Sequence, residues 1–254
     1  MDKNLFDNHT HIGSFYNDDY DYHNVFQAMK NNGVKGAVVA FLTPLIDNTK
    51  LSIDYFNWMN QECGAAAEFA KSICFDAKSL YWVEPMIFEA GFSLDKLMEN
   101  GHYVGFALHP LLHNWNPDDK SCAERLNIVF DYSRKNNLPI YIHTGISEKD
   151  NPLLYERWYK KYNDVEIHLA HCKDPEPIIK LFSKYDNLLG DTAFCPQDSY
   201  DSICKAGFKD RMLYGTDFPV THWWKYKEME MKPMGLDVLT ENYKEVMEEN
   251  AFFN

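Results

Sequence analysis

Residues 121–171 read SCAERLNIVFDYSRKNNLPIYIHTGISEKDNPLLYERWYKKYNDVEIHLAH, and this stretch decides the fold. It contains two helix-length segments, at residues 121–136 and 153–162, and a short apolar segment follows each of them, at residues 138–143 and 165–171. Short apolar runs are typical of strands buried on both faces, and a helix between two such strands makes them parallel. The stretch therefore predicts two successive helix–strand units of a parallel sheet.

The same alternation extends in both directions along the chain. Helix-length sequence separates most of the apolar segments, and strands are predicted at residues 5–13, 34–41, 82–88, 103–109, 138–143, 165–171, 188–192 and 212–217. Eight such units in 254 residues favour an α/β fold, a closed (β/α)8 TIM barrel that forms one domain over residues 1–254. The competing fold is an open doubly wound sheet, but no GxGxxG or phosphate-binding loop follows the first strand.

Composition excludes several classes of partner. The formal net charge is −13 at pH 7 and the lysines and arginines are scattered, which argues against nucleic acid and anionic membranes. The start of the chain, MDKNLFDNHT, lacks the pattern of a signal peptide, and no apolar run approaches the length of a membrane span. The six cysteines form no CxxC pair. We therefore expect a cytoplasmic protein with reduced thiols and a small-molecule substrate.

Polar side chains stand where the predicted strands end. Asp7, His9 and His11 alternate on the first strand and are expected to share one face. Taken singly, a histidine at a strand end is usually a loop anchor, and an aspartate is usually a helix N-cap. The carboxyl ends of barrel strands meet at one face, however, so these side chains together predict a metal site there. The later strands end on His109, His143, His171, Asp191 and Asp217.

These residues form a pattern that resembles the amidohydrolase superfamily. It is most similar to the amidohydrolase-2 branch, which includes aminocarboxymuconate-semialdehyde decarboxylase, resorcylate-type decarboxylases and several lactonases and other hydrolases. The resemblance covers nearly the whole chain. Its motifs are Asp7-x-His9-x-His11, Gly105-x-x-x-His109-Pro110, Pro139-x-x-x-His143-Thr144-Gly145, His171, Gly215-Thr216-Asp217-Phe218-Pro219 and the closing Glu249-Asn250-Ala251.

The resemblance implies a set of metal ligands and two catalytic residues. The implied ligands of one divalent ion are His9, His11, His143 and Asp217. Asp217 would also take a proton, and His171 would lie beside the metal-bound water. Zinc is the preferred ion, with Mn²⁺, Fe²⁺ or Co²⁺ as alternatives. Superfamily members with two metals place a carboxylated lysine at the end of strand four, and residues 106–109 offer none.

The implied reaction is hydrolysis of an amide, ester or lactone by a metal-bound hydroxide. The alternative on the same site is decarboxylation of an aromatic or unsaturated acid. That reaction needs a cationic clamp, and none of Arg125, Arg134, Arg157 and Arg211 falls at a strand end, although Arg157 or a loop residue could reach in. A TatD-like nuclease is disfavoured because a glutamate would end its fourth strand. A non-catalytic binding barrel is disfavoured because the whole ligand set is present.

Several positions keep more than one interpretation. His109 is a substrate contact, an extra ligand or a structural anchor, and Asp191 is a candidate to orient a ligand histidine. His222 and Trp223 either close a hydrophobic pocket over the substrate or pack against a partner subunit or the end of the barrel. The resemblance also implies a homodimer or larger assembly. Residues 14–23 are predicted to form a lid or substrate loop. Glu84 is expected to point inward near the rim, with no assigned role.

Overall fold

The computed structural model describes residues 5–15, 18–42, 53–85, 93–99 and 101–221. Its strands form one nine-stranded sheet in the order β2-β1-β3-β4-β5-β6-β7-β8-β9. The strands are β1 (Leu5–Phe15), β2 (Asp18–Tyr20), β3 (Val34–Phe41), β4 (Asp76–Val83), β5 (Tyr103–Leu108), β6 (Ile140–His143), β7 (Ile167–Ala170), β8 (Leu188–Asp191) and β9 (Met212–Leu213). All neighbouring pairs are parallel except β1 and β2.

Helices connect the parallel strands. In the described part of the chain they are Tyr22–Asn31, Ile53–Ser72, Leu94–Met98, Lys120–Asn136, Glu156–Lys161, Pro175–Phe182 and Gln197–Lys205. The first helix shows why they pack as they do, because Val25, Phe26 and Met29 recur at helical spacing and are fully buried. The same helix ends before Gly33, whose φ of 84° suits a residue without a side chain. None of the described helices is long and apolar enough to cross a membrane.

Backbone hydrogen bonds join the last parallel strand to the first. The N–H of Asn8 donates to the carbonyl of Tyr214 at 2.9 Å, and the N–H of Asp217 donates to the carbonyl of His9 at 2.7 Å. The N–H of His11 donates to the carbonyl of Phe218, also at 2.7 Å. The eight parallel strands therefore close into the predicted (β/α)8 TIM barrel.

Asp7 strengthens this closure. It was expected to share one face of the first strand with His9 and His11, and it does not. Its Oδ2 accepts a hydrogen bond of 2.6 Å from the Thr216 hydroxyl, and its Oδ1 accepts from the N–H of Thr216 at 3.1 Å. The pairing of β1 with β3 shifts register between Asp7 and Thr10, which breaks the simple alternation on which that expectation depended. Asp7 is thus a buried link between the two ends of the barrel.

The prediction for the third parallel strand is wrong. Residues 82–88 were expected to form it, whereas β4 spans Asp76–Val83. The first half of β4 carries Asp76 and Lys78 and is partly exposed, so it lacks the apolar signature of its neighbours. Pro85 has no N–H to donate to the sheet, which explains why the strand does not continue through the apolar residues beyond it. Residues 86–88 lie outside the described part of the chain.

Residues 14–23 also differ from the predicted lid. Gly13 pairs with Tyr20 in an antiparallel hairpin, and the first helix begins at Tyr22 after the N-cap Asp21. Tyr20 is buried, and the ring of Tyr22 lies 5.9 Å from that of Phe69. Tyr20 and Tyr22 therefore pack on the barrel, and no described residue between 14 and 23 lines the cavity at the carboxyl ends of the parallel strands.

All six cysteines are free thiols, as predicted.

Candidate functional site

A cavity of about 540 Å³ opens where the parallel strands end. Its walls are largely apolar, with Trp82, Leu108 and Tyr141 among them. Most of the polar side chains predicted for the site converge on it, because each follows or ends a parallel strand of the closed barrel. The predicted residues that line it are His9, His11, His109, His143, His171 and Asp217. His222 and Trp223 lie outside the described residues.

His9 lies between two carboxylates. Its Nδ1 is 2.8 Å from Asp191 Oδ2, and its Nε2 is 4.0 Å from Asp217 Oδ1. Burial alone would lower the pKa of His9, but the charges of Asp191 and Asp217 raise it to about 9. The two carboxylates therefore favour a positive charge at this end of the cavity.

His11 and His171 are each held by a backbone carbonyl. His11 Nδ1 lies 3.2 Å from the carbonyl oxygen of Ala40, and His171 Nδ1 lies 2.9 Å from that of Ala193. A carbonyl only accepts hydrogen bonds, so in a neutral ring the proton is on Nδ1. The Nε2 atom of His11 then faces Asp217 at 3.0 Å, and that of His171 faces His143 Nδ1 at 2.9 Å. His9 has the same arrangement with Asp191. The Nδ1 atoms of all three imidazoles therefore lie against oxygen acceptors, which fixes the orientation of the rings.

Asp217 supplies the carboxylate of this group. Its Oδ1 is 3.0 Å from His11 Nε2, and its Oδ2 is 3.8 Å from His171 Nδ1. Burial opposes its ionisation, yet the neighbouring His9 and His11 hold the pKa of Asp217 well below its usual range. Its backbone is unusual as well, because φ is 56° at Asp217 and 71° at His171. Residues other than glycine rarely adopt this left-handed conformation, which is concentrated at functional sites.

The donor set fits a divalent metal ion. Ligand atoms of His9, His171 and Asp217 all lie within 4.8 Å of one another. Ligands that are each about 2.0–2.1 Å from a tetrahedral ion are roughly 3.3 Å apart, and the 3.0 Å between His11 Nε2 and Asp217 Oδ1 is close to that spacing. An oxygen acceptor on the far nitrogen is the usual support of a metal-binding histidine. These residues could hold a metal ion such as zinc.

His143, a predicted ligand, contacts this set through His171. Its Nδ1 is 2.9 Å from His171 Nε2, and its Nε2 is 3.6 Å from Asp150 Oδ2. Asp150 was not identified from the sequence, since nothing distinguishes it from other loop aspartates. It lines the cavity and accepts hydrogen bonds from the N–H and hydroxyl of Ser147 at 2.8 and 2.6 Å. The structure therefore places a carboxylate behind His143.

The conformation of His109 identifies it as a hydrogen-bond donor. Its ring stacks on that of His143, with centroids 3.7 Å apart and planes at 16°. Its Nδ1 accepts from the N–H of Leu112 at 3.2 Å, so the proton of the neutral ring is on Nε2. Burial, and then the neighbouring His143, lower the pKa of His109 well below its ordinary value. Glu84, whose role was unassigned, lies 3.1 Å from His113 Nδ1 and does not line the cavity.

Lys173 is a second cavity residue that sequence reasoning missed. It follows β7 by three residues and lines the cavity, with its Nζ 5.8 Å from the centroid of the Phe194 ring. The sequence argument considered arginines alone, and Arg157 is engaged elsewhere. Its guanidinium lies 3.9 Å from the Trp158 ring centroid and 3.4 Å from Asp118 Oδ1. A lone lysine after a strand has no distinctive spacing, so only the fold reveals its position.

Solved structures with the same fold support the architecture. An Acinetobacter baumannii protein described as a "probable 2-pyrone-4,6-dicarboxylic acid hydrolase", with citric acid bound, has a TM-score of 0.63 at 13% identity, over 96% of this chain and 95% of that chain. The 5-carboxyvanillate decarboxylase of Sphingomonas paucimobilis has a TM-score of 0.60 at 10% identity, over 96% and 99%. That of Novosphingobium aromaticivorans, complexed with manganese, has a TM-score of 0.55 at 13% identity, over 87% and 78%.

No curated protein matches the chain. The family model of the amidohydrolase-2 branch, described as amidohydrolase, matches residues 7–251. The matched range contains all nine strands of the sheet except the first two residues of β1. The chain therefore belongs to the amidohydrolase family, in its amidohydrolase-2 branch.

Proposed function

We propose that this protein is a metal-dependent hydrolase that cleaves an ester, lactone or amide bond in a small molecule. The observation that carries the proposal is the convergence of the His9, His11 and His171 rings on Asp217, with each Nδ1 engaged by an oxygen acceptor. A bound divalent ion supplies Lewis acidity, which polarises a carbonyl and makes water acidic near neutral pH. Zinc suits this ligand set, and manganese is an alternative because it accompanies a neighbour of the same fold.

The side chains of this protein divide the remaining work. Asp217 is ionised and accepts the proton of the attacking water. His109 carries a proton on Nε2 and donates a hydrogen bond to the substrate carbonyl. We place that role on His109 because both ring nitrogens of His171 are engaged, Nδ1 by the Ala193 carbonyl and Nε2 by His143 Nδ1. Asp191 keeps the ring of His9 in orientation.

Decarboxylation of a small aromatic acid on the same site is the second candidate. Lys173 favours it, because a cation in the cavity meets the need for a carboxylate clamp that the arginines leave unmet. Neighbours of the same fold include both a hydrolase and decarboxylases. The two candidates share their metal ligands and differ in their products, so one substrate panel separates them.

The test is metal analysis of the purified protein beside His9→Ala and Asp217→Asn, with turnover followed on esters, lactones and hydroxybenzoates. We expect about one metal ion per chain in the wild type and little in His9→Ala. Asp217→Asn should retain most of the metal and lose on the order of 10²–10⁴ in turnover. A chelator should abolish activity, and zinc or manganese should restore it.

Product analysis and circular dichroism complete the experiment. Release of alcohol and acid supports hydrolysis, whereas release of CO2 from hydroxybenzoates supports the second candidate. Far-ultraviolet spectra that match the wild type show that each variant is folded. The hydrolase proposal is wrong if Asp217→Asn turns over as fast as the wild type, or if the protein holds no metal and no added ion produces activity.

A further inference from the structure

Lys173 is the cationic side chain of the cavity wall. The lining contains no other lysine and no arginine within the described part of the chain. Lys173 forms no ion pair among the described residues. Its Nζ lies over the face of the Phe194 ring, 5.8 Å from the ring centroid. Lys173 is partly buried, so its stem lies along the apolar wall while its ammonium group stays accessible to an anionic ligand.

The carboxylates of the cavity do not serve as that partner. Asp217 is 3.0 Å from His11, and Asp150 accepts two hydrogen bonds from Ser147. The positive potential near Lys173 is therefore open to a ligand.

Phe194 fixes where such a ligand would lie. Its ring centroid is 6.1 Å from that of His171 and 5.8 Å from Lys173 Nζ, so the Phe194 ring is near both the cation and the candidate metal ligands. A flat ligand can stack on this ring with an acidic group at Lys173 and another group near Asp217. The volume of about 540 Å³ accommodates one aromatic ring with its substituents.

We propose that Lys173 and Phe194 form an anion subsite that binds a carboxylate of the substrate away from the reacting bond. The substrate is then a small, flat carboxylic acid, and its ester or lactone group lies against Asp217 and His109. This inference rests on the proposed hydrolase function. Lys173 then determines the specificity for an acid, and the substrate carboxylate that it binds remains in the product after hydrolysis.

The first test compares two esters that differ only in charge, 3-acetoxybenzoate and its neutral isostere 3-acetoxybenzamide. The wild type should prefer the acid by about tenfold or more in kcat/KM, mostly through KM, since a hydrogen bond to a charged group contributes about 1.5–3 kcal/mol. Lys173→Gln should bring the ratio close to one, and Lys173→Arg should keep a preference for the acid. Lys180→Gln is the matched control, because Lys180 is exposed on the helix Pro175–Phe182 and should leave the ratio unchanged.

The second test measures binding of isophthalate to the metal-loaded protein by titration calorimetry and needs no turnover. Lys173→Gln should bind it about tenfold or more weakly than the wild type and Lys180→Gln. If neither ester is hydrolysed but this loss of binding is seen, the subsite stands and the hydrolase proposal fails. If both esters are hydrolysed equally well and Lys173→Gln binds isophthalate like the wild type, the subsite is overturned and the hydrolase proposal stands.

Discussion

Asp191 supports two site histidines with a single side chain. Its Oδ2 accepts the Nδ1 proton of His9 at 2.8 Å, while its Oδ1 accepts the N–H groups of His171 and Ala193 at 2.9 and 3.1 Å. These backbone bonds lie beside the left-handed φ of His171, a conformation that the surroundings must hold in place. The orientation of one histidine and the backbone of another thus depend on one buried carboxylate.

Asp191→Asn should weaken metal binding about 10–100-fold while the protein stays folded. Asparagine keeps an oxygen for the backbone N–H groups but presents an NH₂ group to His9 Nδ1. The ring proton of His9 then moves to Nε2, and the lone pair that faces the cavity is lost. Competition against a calibrated chelator measures the affinity. Asp198→Asn, on an exposed helix position, is the control, and equal affinities in the three proteins would contradict the role of Asp191.

At the scale of single elements, the loop after β6 packs tightly around the side chain of Asp150. A Cβ added to Gly145 would lie 2.2 Å from Asp150 Oδ2, so glycine allows the Asp150 carboxylate to lie against the backbone. The N–H of Gly145 also donates to the Asp150 carbonyl at 2.9 Å. The loop thereby returns a carboxylate to His143 from seven residues further along the chain.

Gly145→Ala should lower kcat/KM about tenfold, because the new methyl group displaces Asp150 from His143. Gly33→Ala is the comparison variant, since Gly33 has open space around it and a φ of 84°. It should cost about 1–2 kcal/mol of unfolding free energy and leave kcat/KM unchanged. Steady-state kinetics and urea denaturation of both variants test the pair. The interpretation fails if Gly145→Ala keeps full activity.

Most of the strands could be predicted because their residues are apolar on both faces, as in β6 and β7. Sequence patterns failed for β4, whose exposed first half resembles a loop, and for the hairpin of β1 and β2. At the site, His9 and Asp217 were predictable because the first strand and the segment after the last strand must meet where the barrel closes. Asp150 and Lys173 were not, because their place depends on the path of loops that no periodicity describes.

At the scale of the whole molecule, the closure of the barrel joins residues that are far apart in sequence. Thr216 makes the central contact, because its hydroxyl donates to Asp7 Oδ2 at 2.6 Å and accepts from the N–H of Phe218 at 3.0 Å. Asp7 and Thr216 are both buried. Asp7 Oδ1 also accepts the N–H of His9 at 3.0 Å, and Thr216 immediately precedes Asp217, so the stability of the closure and the geometry of the site are tied together.

Thr216→Val should lower the unfolding free energy by about 3 kcal/mol, since it leaves a buried carboxylate oxygen and a buried N–H without these partners. For a protein of this size, the corresponding drop in Tm is about 6–12 °C. Ser183→Ala removes an exposed hydroxyl and should change the free energy by less than about 0.5 kcal/mol. Thermal and urea unfolding measure both variants, and equal stabilities would show that the Asp7–Thr216 contact does not hold the barrel closed.

The closure between Asp7 and Thr216 also sets an order of events during translation. The two residues are 209 positions apart. At about 5–20 residues per second, a ribosome needs roughly 10–40 s to travel from one to the other. Throughout that interval the nascent chain carries His9 and His11 on a strand whose outer edge is paired only at its end, by β2, and Asp217 has not yet been made. The proposed metal site can therefore be completed only after Asp217 has been synthesised, and until then the unpaired edge of β1 is open to pairing with other chains.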